Sequence, residues 1–161
     1  MSSGAAHGFT IVPWSPRHRD AFRDLNLWWL ERWFEVEQID RDVLSDPEGA
    51  LLARGGEIWF AEQAGRAVGT VALKDHGGGR FELTKLGVDP SAQGAGMGRA
   101  LCGRVIERFE ARGGVLLFLE TNTVLEPALR LYEALGFVVC DAPATSPYAR
   151  SNCYMEWRGS A

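Results

Sequence analysis

Leu86-Gly87-Val88-Asp89-Pro90-Ser91-Ala92-Gln93-Gly94-Ala95-Gly96-Met97-Gly98-Arg99-Ala100-Leu101 changes its period part-way along. It begins as a strand, crosses a short polar loop and enters a helix from inside a glycine cluster. Met97, Leu101, Val105 and Phe109 then recur at helical spacing, and Gly113-Gly114 closes the helix. The first turn of a helix exposes N–H groups without intrahelical partners and carries partial positive charge, so it suits an anion. Glycines let the backbone approach such a group closely and adopt dihedrals closed to other residues. The pattern predicts a phosphate-binding turn, with a flexible surface turn as the alternative. Two phosphate fingerprints are absent. G-x-G-x-x-G fails from Gly94, where Arg99 takes the third glycine position, and from Gly96, where Leu101 does. No Gly-Lys-Ser or Gly-Lys-Thr follows.

Working outward, residues 80–88 read as the third strand of an antiparallel meander. Strands over 57–63 and 67–74 precede it, with turns at 64–66 and at the three glycines 77–79. Nearer the N-terminus, 9–13 reads as a strand. Ser15-Pro16 is a cap followed by proline at the first helical position, and the helix runs to Trp33 or Phe34. Asp40 is expected to cap a short helix over 41–44 that breaks near Pro47. Downstream, 115–120 is a continuous apolar run, as in a buried strand. Pro127 opens a helix with Ala128, Leu131, Tyr132 and Leu135 on one face and Gly136 at its end, and strands follow over 137–140 and 153–157. The order β-α-α-β-β-β-α-β-α-β-β predicts an α/β domain with a mixed sheet. A chain of 161 residues with no repeat and no linker fits one domain, expected over 9–158, with residues 1–8 disordered.

Composition excludes several classes. The 46% apolar and 24% charged residues are ordinary for a globular protein. The opening residues lack the apolar run of a secretory signal, and no stretch approaches the ~20 apolar residues of a membrane span, so a cytoplasmic protein without a membrane partner is expected. Three cysteines in no paired spacing suggest neither a disulfide framework nor zinc. His7, His18 and His76 are not grouped in sequence, and no metal is expected. A net charge of −4 without a basic stripe disfavours nucleic acid.

Gln93-x-x-Gly96-x-Gly98, preceded by Leu-Gly-Val-Asp-Pro and followed by an amphipathic helix, resembles the acetyl-CoA-binding motif of the GNAT N-acetyltransferase superfamily. A second signature follows in order: Leu119-Glu120-Thr121-Asn122, then Ala128 through Tyr132 to Gly136-Phe137. The resemblance covers roughly 57–140. It implies a single-domain fold with a mixed, mostly antiparallel central sheet flanked by helices and splayed middle strands. It implies acetyl-CoA as cosubstrate, with pantetheine inserted between those strands against backbone groups of Leu86 and Val88. Backbone amides of Gln93, Gly94, Gly96, Gly98 and Arg99 would hold the pyrophosphate. The chain departs from the pattern at Leu125, where many members carry a cofactor-contacting asparagine; Asn122, one turn earlier, is expected to take over part of that role. Members also pair through their late strands, so a homodimer is compatible.

Acetyl transfer to an amine needs a base for the amine proton, a donor for the oxyanion and an acid for the leaving thiolate. Tyr132 matches the family's acid, although it also falls on the apolar face of its helix. Glu82, eleven residues before Gln93, matches the general base of histone-acetyltransferase-like members. Alternation groups it with Thr84 and Leu86 on one strand face. A solvated strand glutamate, a water chain and Glu120 are the competing readings. A backbone N–H near Val88 would polarise the thioester carbonyl. Trp28, Trp29, Trp33 and Phe34 crowd the region that covers the acceptor in this superfamily. Adjacent tryptophans do not both face inward, so Trp29 and Trp33 are candidates for the acceptor wall, together with Tyr148. Arg150 suits a substrate carboxylate because its planar guanidinium binds one in bidentate fashion, the competing reading being a solvated loop arginine. These residues predict acetyl transfer to a small-molecule amine, amino-acid-like in character. A protein acetyltransferase with an open groove and a non-catalytic acyl-CoA sensor are the alternatives, and a nicotinamide-dependent dehydrogenase is disfavoured by Arg99 and Leu101.

Overall fold

Turn chemistry lays out the first half of the sheet. Strand β2 (Glu57–Gln63) meets β3 (Arg66–Gly77) through Ala64 and Gly65, both at positive φ (50° and 77°), as a two-residue hairpin loop requires. The glycines at 77–79 are likewise all at positive φ, and they turn the chain into β4 (Arg80–Val88). Strand β1 (Thr10–Pro13) pairs with the free edge of β2, so the first four strands are antiparallel. The computed structural model describes residues 8–94 and 96–159; the tail expectation for residues 1–7 lies outside them.

After β4 the chain needs a crossover, because parallel neighbours are not joined by a tight turn. Helix α3 (Met97–Ala111) supplies it and returns to β5 (Leu116–Thr121), which pairs with β4 in parallel. Helix α4 (Glu126–Leu135) then leads to β6 (Phe137–Cys140) and β7 (Cys153–Trp157), giving seven strands in the order β1-β2-β3-β4-β5-β7-β6. The expected fold, a mixed and mostly antiparallel sheet flanked by helices, is the one observed.

Period-2 alternation divides the core between the two faces of the sheet. On one face Val71, Leu73, Leu83 and Met155 pack with Leu101 and Val105 of α3 and Tyr132 of α4. On the other, Ile58, Phe60 and Ala72 pack with Phe22 and Leu30 of α1 (Arg19–Trp33) and Leu44 of α2 (Gln38–Ser45). The helix predicted from Ser15-Pro16 opens as a 3₁₀ turn, Pro16–His18, before α1. Asp40 is not a cap. It lies inside α2 at 0% exposure, where its carboxylate accepts from the Glu37 N–H at 2.9 Å, and Glu37 takes the cap position. The helix does break near Pro47, as expected, ending at Ser45. Pro47 itself opens a further turn, Pro47–Ala50, capped by Asp46.

Two irregularities shape β4. Thr70 of β3 faces Gly87 and Ala72 faces Thr84, so Lys85 and Leu86 share the space opposite Val71, and Lys85 stands at φ 58°. This bulge shifts the alternation by one residue. Leu86 and Val88 therefore pack on the α3 side with Phe81 and Leu83, and the simple alternation that grouped Leu86 with Glu82 fails. Gly87 turns towards α1, where an added Cβ would lie 2.8 Å from the Leu25 carbonyl oxygen. The second irregularity is an early end to pairing. Strands β4 and β5 match only at Arg80–Leu116, Phe81–Leu117 and Glu82–Phe118, and beyond Glu82 they part. The middle strands are splayed, as expected.

Candidate active site

The parted strands open a cleft of about 1040 Å³, and every site residue singled out from the sequence lines it. One end is built from backbone. Beyond Glu82, β4 has no partner on its β5 side, so its N–H and C=O groups there face the cleft. Asp89 folds the following loop by accepting from the Ser91 N–H at 2.9 Å, and the Gln93 side chain donates to the Val88 carbonyl at 3.1 Å. Gly94 and Gly96 stand at φ 87° and 79° with nothing within 4 Å of an added Cβ, so conformation is what requires glycine there. Gly96 is the N-cap of α3 and offers no side-chain cap, which leaves the first-turn N–H groups free for an anion. Gly98 and Arg99 continue that turn, and Gly98 lets α4 approach, its added Cβ falling 3.2 Å from Leu131.

The middle of the cleft carries the proton-transfer candidates. Tyr132 is 7% exposed with its ring edge-on to Phe137 at 6.0 Å, so it is both a core residue and a cleft residue. Burial pushes its phenol up, which keeps it protonated at neutral pH. Glu82, also 7% exposed, is joined by Oε1 to Nε2 of His76 at 2.9 Å. His76 escaped the sequence reading because no other histidine stands near it. The hairpin register held the signal: Lys74 faces Glu82, so His76 is its diagonal neighbour.

The other end is built from ions and rings. Arg150 does not wait for a substrate carboxylate: its guanidinium holds Asp40 in bidentate fashion, 2.7 Å at each contact, and reaches Glu37 at 3.3 Å. Lys85 Nζ donates to the Tyr148 hydroxyl at 3.0 Å and to Asp40 at 3.4 Å. Burial drives Lys85 below the usual lysine range despite Asp40. Burial would raise Asp40, but hydrogen bonds from Arg150 and the Glu37 N–H, with the charge of Lys85, hold it below the usual carboxylate range. Tyr148 lies under both cations, 4.7 Å from Lys85 Nζ and 4.5 Å from the Arg150 guanidinium. Trp29 is half-buried and edge-on to Phe34, whereas Trp33 is 50% exposed at the rim. Asn122 is also internally engaged. It donates to the Arg150 carbonyl at 2.7 Å and accepts from the Val124 N–H at 2.8 Å, so both ends of its amide hold the loop together, and the cofactor contact expected of it is not supported. Among the described residues no group of three His, Cys, Asp or Glu could hold a metal, and no helix is long and apolar enough to cross a membrane.

The model of the acetyltransferase (GNAT) family matches residues 18–137. The mycothiol acetyltransferase of Thermomonospora curvata is 42% identical over 94 residues, covering 54% of this chain and 32% of the relative, so the chain spans about a third of that protein. Among solved structures, an acetyltransferase of the GNAT family from Staphylococcus aureus superposes with TM-score 0.84 at 18% identity, covering 92% of this chain and 98% of that one. The yncA protein of Salmonella typhimurium, solved with its cofactor acetyl-CoA, has TM-score 0.72 at 20% identity and 92% coverage of each chain.

Proposed function

The chain belongs to the acetyltransferase (GNAT) family, and from that premise we propose that its 9–158 domain transfers the acetyl group of acetyl-CoA to the amine of a small molecule. The observation that carries the reading is the parting of β4 from β5 directly beside the free first turn of α3. An unpaired strand edge suits an extended amide chain such as pantetheine, which would add there against Leu86 and Val88. The N–H groups of Gln93, Gly94, Gly96, Gly98 and Arg99 suit a pyrophosphate. That the residues for both demands line one cleft supports the reading.

The residues between the two ends supply the proton chemistry. Glu82 would accept the proton that the amine releases as its N–C bond to the acetyl carbon forms, directly or through water. Tyr132 would donate its proton to the sulfur as the C–S bond breaks. A backbone N–H near Val88 would polarise the carbonyl. The acceptor end is walled by Trp29, Trp33 and Tyr148 under the Arg150 loop, and this supports a small acceptor over a protein chain.

The test is release of free CoA, followed with a thiol reagent, across a panel of amines. Turnover with one amine class is expected. Tyr132→Phe should lower kcat by roughly 10²-fold, within the range of a general acid, and leave acetyl-CoA affinity unchanged. Undiminished turnover in that variant would remove Tyr132 from the chemistry, and failure of the wild type to bind acetyl-CoA would refute the reading as a whole.

A further inference from the structure

The cations at the acceptor end are already in use. Arg150 and Lys85 face Asp40 and Glu37 within one closed set of contacts, two positive charges against two negative. Arg32 also lines the cleft, but it lies at the rim over the Trp28 ring at 5.6 Å, and Arg99 belongs to the opposite, α3 end.

Two further carboxylates lie on facing strands, just where the strands separate, Glu82 near enough for its charge to act on Lys85. Glu82 is the last β4 residue paired with β5, and Glu120 lies two residues beyond its partner Phe118. Glu82 has the His76 imidazole on one oxygen. Glu120 accepts from the Ser146 hydroxyl at 2.5 Å and has no cationic partner among the described residues. Tyr148, which lies near all of these groups, registers the field they make. Burial raises its pKa first, Glu82 and Asp40 raise it further, Arg150 opposes them, and Glu120 adds to the rise.

We infer that the acceptor is an amine carrying a second positive charge and no carboxylate, in chemical class an aliphatic diamine or polyamine. The inference rests on the acetyl-transfer reading and narrows it. An acceptor bearing a carboxylate would bring that anion against Glu120 while Arg150 and Lys85 are already held by Asp40 and Glu37, and like charges brought together in a partly buried site are disfavoured. An acceptor with two ammonium groups meets Glu120 with one, and the exposed ring of Trp33 offers a further cation-binding face. The other amine, facing Glu82, is the one acetylated.

The experiment compares pairs that differ only by a carboxylate: cadaverine against lysine, and agmatine against arginine. Each is measured as kcat/KM with saturating acetyl-CoA and as binding to the CoA-loaded protein. The decarboxylated member should be favoured by about tenfold or more, the scale of one unfavourable charge contact near a protein surface. Glu120→Gln should bring that ratio towards one, with an unchanged melting temperature showing that the variant folds. Equal treatment of the pair, a preference for the amino acid, or acetylation of other amines while neither diamine binds would overturn the inference and leave the acetyl-transfer reading standing. Absence of acetyl-CoA binding would overturn both.

Discussion

Replacing Asp40 with alanine removes the only wholly buried carboxylate of the acceptor-end network. The loss strands two cations: the Arg150 side chain is 14% exposed and that of Lys85 is 4% exposed. Breaking a buried ion pair by deleting one partner costs about 3–5 kcal/mol, because the remaining charge is left uncompensated. Arg150 would keep Glu37 at 3.3 Å, and Lys85 would keep the Tyr148 hydroxyl at 3.0 Å, which places the expected loss near the lower figure. For a domain of this size each kcal/mol lowers Tm by about 2–4 °C, so Asp40→Ala should melt about 6–12 °C below wild type in calorimetry at pH 7. Adding Arg150→Met should restore part of the loss, since it removes one stranded cation and fills the space with an apolar chain. The pH dependence has a defined sign. The folded-state pKa of Asp40 lies below its ordinary 3.8, so its contribution is complete above that value and fades as pH falls through the folded value. The gap between wild type and variant should therefore hold constant from neutrality to about pH 4 and narrow only in stronger acid. A Tm drop under about 2 °C, or a double variant no better than the single, would refute this account of the network.

Arg150→Ala should raise the acceptor KM and leave acetyl-CoA affinity intact. Free guanidinium should restore activity by filling the gap between Asp40 and Tyr148, whereas Arg150→Lys, lacking the planar fork, should recover less. Gly87→Ala should destabilise the protein by about 1–3 kcal/mol, read as a shift in the urea midpoint, because its methyl would be driven into the Leu25 carbonyl on α1. Burial pushes the Cys102 thiol from its ordinary 9.0 to about 12, so its contribution is complete below pH 9 and is lost as pH rises through about 12. Urea titrations across that interval should therefore show a shallower decline for Cys102→Ala than for wild type.

The candidate donor half of the cleft was legible because it is made of backbone. Gly94, Gly96 and Gly98 declare their conformational duty in their identity, and the change from strand to helix period around them places an anion-binding first turn without any tertiary knowledge. The candidate acceptor half was legible only as members, Trp29, Trp33, Tyr148 and Arg150, and not as contacts, because side chains meeting across long separations build it. Nothing local in Asp40 announces that Arg150, 110 residues later, will hold it, or that Lys85 will arrive beside it. The same applies to Asn122, whose place near the second signature suggested a cofactor contact while its amide was engaged by the loop that ends at Arg150. The bulge in β4 was hidden for another reason: Lys85 is neither glycine nor asparagine, so a left-handed residue there carries no sequence signal, and strict alternation misplaced Leu86.

That one extra residue at Lys85 has a consequence for how such a chain can diversify. Without it, the strand face that bears Glu82 would also bear Leu86, and any change that reshaped the amine side would drag on the donor side. With it, one strand faces two ways: Leu86 and Val88 pack on the α3 side of the sheet, while Glu82 belongs to the opposite alternation. If the cleft binds acetyl-CoA as proposed, side chains on the Glu82 face could change without altering the backbone register of Leu86 and Val88.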